Sequence, residues 1–290
     1  MPLIHEPVGH GLTRVWEVGD VRFHARTPYQ EVLIGRTAQG VSLFCDGERQ
    51  STEASQLVYH EALMVPALLL AEQVRRVLVI GSSEGVACEL AVAAGATLVD
   101  HVDIDAQAVR ACAGHLPYGY TPADLARAER GDGPIRVSYE DGWAFLAAAE
   151  GSGDTYDVVV IDLPDENTDP GAQHNRLYGT DFLGRCARLL APGGVVTCQA
   201  GCPTLWRNET LRASWRRFRE VFATVLYFGS DEHEWAFLSG RADHVGQPGA
   251  LVARRFAERG SGAVTLDAAA LLGGATPPYS LRHGIGTDQS

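Results

Sequence analysis

No apolar run in this sequence is long enough to span a bilayer. The greasiest stretch, Ala62 to Ala71, is interrupted by Pro66 and falls well short of the roughly 20 residues a membrane helix requires. The N-terminal residues, Met-Pro-Leu-Ile-His-Glu-Pro, lack the basic-then-apolar pattern of a secretory signal. Positive charge is short as well. With 24 basic against 36 acidic residues the net charge is -12, which speaks against a nucleic-acid surface and favours solubility and cationic ligands. The six cysteines (Cys45, Cys88, Cys112, Cys186, Cys198 and Cys202) make no C-x-x-C pair and lie mostly within apolar runs. Free thiols in a reducing compartment fit them better than disulfides or a zinc site. Internal repeats are also missing. The expectation is a soluble, cytoplasmic protein with no nucleic-acid, membrane or metal partner.

What is present centres on residues 76 to 105. An apolar run of strand length, Val77 to Ile80, ends in the turn Gly81-Ser82-Ser83-Glu84-Gly85. A helical pattern follows to about Ala94, and a second apolar run, Leu98 to Ile104, carries Asp103 near its end. This β-loop-α-β unit suits a nucleoside. Glycines let the backbone approach the ligand, the helix N-terminus offers free N–H groups, and an acid at the second strand tip can accept both ribose hydroxyls. The dinucleotide spacing G-x-G-x-x-G is absent, which places a nicotinamide cofactor behind other nucleosides.

The 290 residues are divided into three segments on pattern. Residues 1–52 read as a small antiparallel β domain, with strands Val15 to Val18, Val21 to His24, Glu31 to Ile34 and Val41 to Phe44 between turn pairs. Residues 53–241 open with a helix from Gln56 to Gln73 that Pro66 is expected to kink or divide. They continue in an α/β rhythm that implies a mainly parallel, doubly covered sheet of Rossmann type. A basic amphipathic helix, Leu205 to Phe222, and a hairpin, Ala223 to Phe228 with Glu234 to Ser239, close this segment. The helix's arginines read as a solvated face. Residues 242–290 form a C-terminal extension with no assigned chemistry.

Acids recur where these strands end: Glu84, Asp103, Asp141 followed by Gly142, and Asp162 with Asp165 three residues on. Successive parallel strands deliver their C-terminal ends to one crevice, so the acids should meet there. A carboxylate-rich crevice favours a positively charged ligand, and S-adenosylmethionine, a sulfonium nucleoside, is an obvious candidate. In Asp162-Leu-Pro-Asp165, two acids flanking a rigid turn can deprotonate and orient a nucleophile.

Together, Asp46-Gly-x-x-Gln50-x-x-Glu53, Tyr59-His60-Glu61, the Gly81 to Gly85 loop, Asp103-Ile-Asp105, Asp141-Gly142, Asp162-Leu-Pro-Asp165, Leu177-Tyr178 and Gln199 resemble the spermidine synthase (aminopropyltransferase) family over residues 29 to 240. The resemblance implies a small β domain before a methyltransferase-like Rossmann domain. It implies transfer of a three-carbon, amine-bearing arm from an S-adenosylmethionine-type co-substrate to a small-molecule acceptor, with release of methylthioadenosine and no tightly bound cofactor. A homodimer is the oligomer it favours. By matching position, Gln30 and Gln50 would lie around the nucleoside, with Gly81, Ser82, Ser83, Gly85 and Gly142 framing it. Asp103 would hold the ribose, Asp141 the adenine amino group and Glu84 the arm's amine. Asp162 would be the general base or orienter, with Tyr59 and Asp165 positioning the attacking atom.

Departures from the family pattern shape the expected substrate. The usual Gly-Gly-Gly-Asp-Gly-Gly loop reads Gly81-Ser82-Ser83-Glu84-Gly85-Val86, and the usual acid pair before Tyr59 reads Ser55-Gln56. Two new hydroxyls offer partners for a carboxylate, so the leading expectation is 3-amino-3-carboxypropyl transfer from intact S-adenosylmethionine to a non-polyamine acceptor. The alternatives are aminopropyl transfer from the decarboxylated donor to a polyamine, methyl transfer, and non-catalytic nucleoside binding.

Overall fold

The computed structural model describes residues 2–9, 11–166, 172–230, 232–260 and 262–283. The chain opens with a hairpin, β1 (Leu3–Gly9) and β2 (Leu12–Glu17), and continues into an antiparallel sheet of β3 (Gly19–Arg26), β4 (Glu31–Thr37), β5 (Gly40–Cys45) and β6 (Glu48–Thr52). Six strands in two sheets thus replace the four expected. β6 escapes a hydrophobicity reading because its residues, Glu-Arg-Gln-Ser-Thr, are all polar. They are nevertheless held by pairing with β5, and Ser51 bonds the Tyr118 hydroxyl at 2.9 Å.

The helix α1 (Gln56–Leu70) runs through Pro66 undivided. A proline inside a helix costs about 3 kcal/mol, but here every residue from His60 to Leu70 is buried, and that packing outweighs the one lost hydrogen bond. Next come β7 (Arg76–Gly81), α2 (Val86–Ala93), β8 (Leu98–Asp103), α3 (Ala106–His115), α4 (Pro122–Arg130), β9 (Ile135–Tyr139), α5 (Gly142–Ser152) and β10 (Tyr156–Asp162). A 3₁₀ turn (Gln173–Tyr178), α6 (Thr180–Arg188), β11 (Leu190–Gln199), α7 (Glu209–Val221), β12 (Thr224–Gly229) and β13 (Ala236–Arg241) follow. The sequence reading passes over α4, although Thr121 caps it, Pro122 starts it and Gly131 ends it in a left-handed conformation. The α7 helix starts at Glu209 rather than Leu205, which leaves Arg207 in the preceding turn.

The central sheet has the order β12-β13-β11-β10-β7-β8-β9. Its pairs from β11 to β9 are parallel, and β13 is antiparallel to both neighbours. This is a Rossmann-like sheet of the methyltransferase kind, preceded by a small antiparallel β unit. β7 and β10 carry the unbroken apolar runs Val77 to Ile80 and Val158 to Ile161 because both faces are covered. One face packs on α1 and α2, the other on α5 and α6. Strand order reverses between β7 and β10, so a crevice opens at their C-terminal ends, where Gly81 pairs with Asp162.

Three helices complete the described chain: α8 (Pro248–Arg259), α9 (Ala268–Gly274) and α10 (Tyr279–His283). Arg255 on α8 donates to the carbonyls of Leu69, Leu70 and Ala71, which satisfies the buried C-terminal end of α1, and it pairs with Glu72. Among the described residues no helix is long and apolar enough to cross a membrane.

Candidate active site

A cleft of about 410 Å³ lies at the strand-order reversal. One half is built on the turn after β7. Gly81 has φ +83°, and a Cβ there would stand 2.1 Å from the carbonyl oxygen of Asp162. Gly85 has φ +81°, and a Cβ there would enter the Tyr120 ring at 2.4 Å. Only glycine fits either place. Between them Ser82, at φ +61°, adopts a left-handed conformation uncommon for a non-glycine residue, and its N–H donates to Asp162 O at 2.9 Å. His101 braces the turn from beneath. Its Nε2 donates to Gly81 O (2.8 Å), which leaves Nδ1 to accept from the Tyr120 hydroxyl (3.1 Å). Burial pushes this imidazole down to about 4, so it stays neutral.

The acids of this half are already bonded within the protein. Asp103 accepts from the Asp105 N–H at 2.8 Å and from the Ser83 hydroxyl at 2.7 Å. Burial nonetheless pushes its carboxyl up to about 6, because desolvation outweighs both bonds. Asp105 caps α3 through Ala108 N and receives the Thr27 hydroxyl (2.7 Å) and Gln30 Nε2 (3.1 Å), tying the small sheet to the large one. Asp141 caps α5 through Ala144 N and pairs with Arg176. Glu84 is buried at the cleft wall, and Gln50 lies opposite on β6.

The other half gathers residues from distant elements. The Tyr59 hydroxyl, from α1, donates to Asp162 Oδ1 at 2.7 Å, and its ring meets Trp235 and Phe237 edge-on at 5.5 and 5.1 Å. Burial, then the Asp162 charge, raises this phenol well above its ordinary range, so it remains a donor. The other carboxylate oxygen, Asp162 Oδ2, is 3.8 Å from His60 Nε2. His60 Nδ1 faces the Gln56 carbonyl at 2.7 Å and therefore carries the ring proton of the neutral form, which leaves Nε2 buried without a hydrogen-bond partner. Two acceptor atoms thus frame a space suited to an N–H donor. The Tyr178 hydroxyl bonds the carbonyls of Leu163 and Pro164 at 3.1 and 2.7 Å, fixing the turn between Asp162 and Asp165. Gln199 donates to Asp165, whose carboxyl is raised chiefly by burial.

The family described as "Spermine/spermidine synthase domain" matches residues 56–229, more than half of the chain. The chain belongs to the spermidine synthase family. Polyamine aminopropyltransferase 1 of Hyperthermus butylicus is 30% identical over 231 residues, spanning 78% of this chain and 75% of its own. The polyamine aminopropyltransferase of Prochlorococcus marinus is 33% identical over 227 residues, 77% and 73% of the two chains. Among solved structures, a spermidine synthase in complex with the transition-state analogue AdoDATO superposes with a TM-score of 0.78 at 16% identity, covering 96% of this chain and 92% of that one. Spermidine synthase from Thermotoga maritima gives 0.76 at 14%, with 96% and 91% covered. These two likenesses carry the fold.

This member of the spermidine synthase family is an enzyme, and its cleft collects nearly every residue singled out from sequence. Gln30, Gln50, Tyr59, Gly81, Ser82, Ser83, Glu84, Asp103, Asp141, Gly142, Asp162 and Asp165 all line it. Gly85 does not; it lies behind the turn, under Tyr120. One of the two serine hydroxyls expected to meet a carboxylate is already used within the protein. Ser83 is engaged by Asp103, and the Ser82 hydroxyl is buried with no partner. The sequence reading names no role for His60, although it adjoins Tyr59 in the same motif. It also treats Arg207 as part of a solvated helix face, whereas Arg207 stands 3.5 Å from Asp165. No group of three or more His, Cys, Asp and Glu side chains among the described residues is placed to hold a metal ion.

Proposed function

We propose that this enzyme transfers the aminopropyl arm of decarboxylated S-adenosylmethionine to a primary amine of a polyamine-type acceptor, releasing methylthioadenosine. The charge of the cleft carries this reading. Among the described residues nine lining side chains are carboxylic acids (Asp46, Glu48, Glu84, Asp103, Asp105, Glu140, Asp141, Asp162 and Asp165), and none is an arginine or lysine. Such a lining attracts ammonium and sulfonium groups and repels a carboxylate. Intact S-adenosylmethionine would bring a carboxylate; of the two hydroxyls expected to receive it, that of Ser83 is engaged by Asp103, which leaves Ser82 alone against the acidic lining. The charge of the lining therefore favours the decarboxylated donor. The relatives named polyamine aminopropyltransferases support the same choice.

In this reading Asp103 accepts the ribose hydroxyls, Asp141 the adenine amino group, and Glu84 pairs with the ammonium of the arm. Gln30 and Gln50 flank the nucleoside from the small sheet. The acceptor amine gives up a proton to the Asp162 carboxylate, whose free oxygen and the neighbouring His60 Nε2 orient the lone pair. The nitrogen then bonds the carbon next to sulfur. That C–S bond breaks, and its electron pair returns to sulfur as a neutral thioether. Because the leaving group is good, alignment of nitrogen, carbon and sulfur supplies most of the catalysis.

The test is incubation with intact or decarboxylated donor plus a diamine, followed by mass detection of the nucleoside product. Methylthioadenosine formed only from the decarboxylated donor is the expected result. Methylthioadenosine from the intact donor would restore carboxypropyl transfer, and S-adenosylhomocysteine would mean methyl transfer instead.

A further inference from the structure

Behind Asp165 the cleft meets a second chamber of about 40 Å³, with room for little more than a water molecule. Glu48, Gln50, Tyr59, Leu163, Pro164 and Asp165 wall both spaces. The far walls carry the positive charge that the main cleft lacks. Arg207, from the turn before α7, sets Nη2 3.5 Å from Asp165 Oδ2, and Gln199 holds the other oxygen. Arg49, on β6, lies 4.7 Å over the Trp235 ring; it is buried, and its Nε has no hydrogen-bond partner. Two of the acids beside it are already in ion pairs. Glu6 accepts from the Trp16 indole at 2.6 Å and pairs with Arg14, and Glu234 pairs with Arg14 and with Arg49.

We propose that Arg207 sets the length of the acceptor, an inference that rests on the amine-acceptor reading above. A short diamine presents one nitrogen at Asp162 and keeps the other on the cleft side of Asp165, within the acidic lining. A triamine must send its third ammonium past Asp165. There it meets two guanidinium groups in a chamber that has little room for compensating water; of the two carboxylates at the mouth, Asp165 is already paired with Arg207, and burial raises the carboxyl of Glu48, which weakens it as a partner for an ammonium. Like charges brought together out of water are strongly disfavoured, so the pair Arg207–Asp165 acts as a stop. Arg207 is the adjustable part of it, because Arg49 is held by its stacking on Trp16 and Trp235 and by its ion pair with Glu234.

Calorimetry of 1,4-diaminobutane and of a linear triamine, each with methylthioadenosine present, tests this in wild type, Arg207→Gln and Arg207→Lys. Wild type should prefer the diamine by about tenfold or more, Arg207→Gln should cut that ratio by about tenfold, and Arg207→Lys, which keeps the charge, should retain most of it. Unchanged affinity for methylthioadenosine alone in all three shows an intact fold and an undisturbed nucleoside site. A wild type that binds the triamine as tightly as the diamine overturns the proposal without recourse to any variant. So does an Arg207→Gln protein that binds methylthioadenosine normally and keeps the wild-type ratio. Wild type that shows the preference but forms no methylthioadenosine from decarboxylated donor and any amine would sink the proposed function while supporting the stop.

Discussion

The two halves of the cleft are built on different plans. On the nucleoside side the polar groups face one another: Asp103 is held by Ser83 and Asp105, Asp105 by Thr27 and Gln30, and Asp141 by Ala144 and Arg176. On that side Ser82 Oγ is left unpaired, whereas on the acceptor side His60 Nε2, Gln199 Oε1 and Arg49 Nε are all buried without hydrogen-bond partners. A buried polar atom left unpaired costs about 1 to 3 kcal/mol, so such atoms persist where a ligand or an ordered water completes them. The acids of the first half are therefore largely pre-organised. The second half has more left for a ligand to complete.

The sharpest way to break this comparison is at Asp162, where the halves meet. Asp162→Asn keeps the backbone carbonyl that holds the Ser82 N–H but removes the charge proposed to take the proton. Turnover should fall by about 100- to 1000-fold while methylthioadenosine affinity stays near wild type. Steady-state kinetics at saturating substrates, paired with calorimetry, separates the two effects. Near-normal turnover would remove Asp162 from the chemistry, and an equal loss in both readouts would mean that the halves are not independent.

The same division governs what can be read from the sequence. The nucleoside half is local: a glycine turn after one strand and acids at the tips of the next ones lie within short stretches, and parallel-sheet geometry brings them together. Gly81, Asp103 and Asp141 needed no knowledge of distant packing. The acceptor half depends on contacts far apart in the chain. Arg207 reaches Asp165 because α7 begins at Glu209, a boundary shift of a few residues that no periodicity reports. Arg49 sits on a strand of polar residues with no apolar signature. His60 stands beside Tyr59 in the sequence, yet its significance rests on an unpartnered nitrogen 3.8 Å from Asp162, which arises only on folding. The serines illustrate the opposite error. Two hydroxyls at a ligand-binding turn invite a carboxylate, but one of them already serves a neighbouring acid.

Within the nucleoside half, Asp103→Ala should weaken methylthioadenosine by about 1.5 to 3 kcal/mol, the worth of charge-assisted bonds to the ribose hydroxyls. This effect belongs to binding, so turnover at saturating donor should change less than affinity does. Calorimetry of a folded variant with unchanged affinity would show that the pre-organised acid does not touch the ligand.

The smallest effect tests pre-organisation itself. The Asp103 carboxyl is raised to about 6 by burial and is held from rising further by the Asp105 N–H and the Ser83 hydroxyl. In the proposed reading, ribose hydroxyls donate to the ionised form. Affinity for methylthioadenosine should therefore be flat above that pH and fall toward about tenfold per unit below it, as protonation competes with the ligand. Ser83→Ala removes a bond that favours the ionised form, so the midpoint should move upward and affinity at pH 7 should drop by about two- to tenfold. Methylthioadenosine has neither the arm's amine nor a carboxylate, so Glu84 and the donor's own titration stay out of the measurement. A midpoint that does not move in Ser83→Ala would mean that the serine hydroxyl does not hold Asp103 in solution. Ser83 would then be available to a ligand, and the contrast between a completed half and an open one would lose its clearest member.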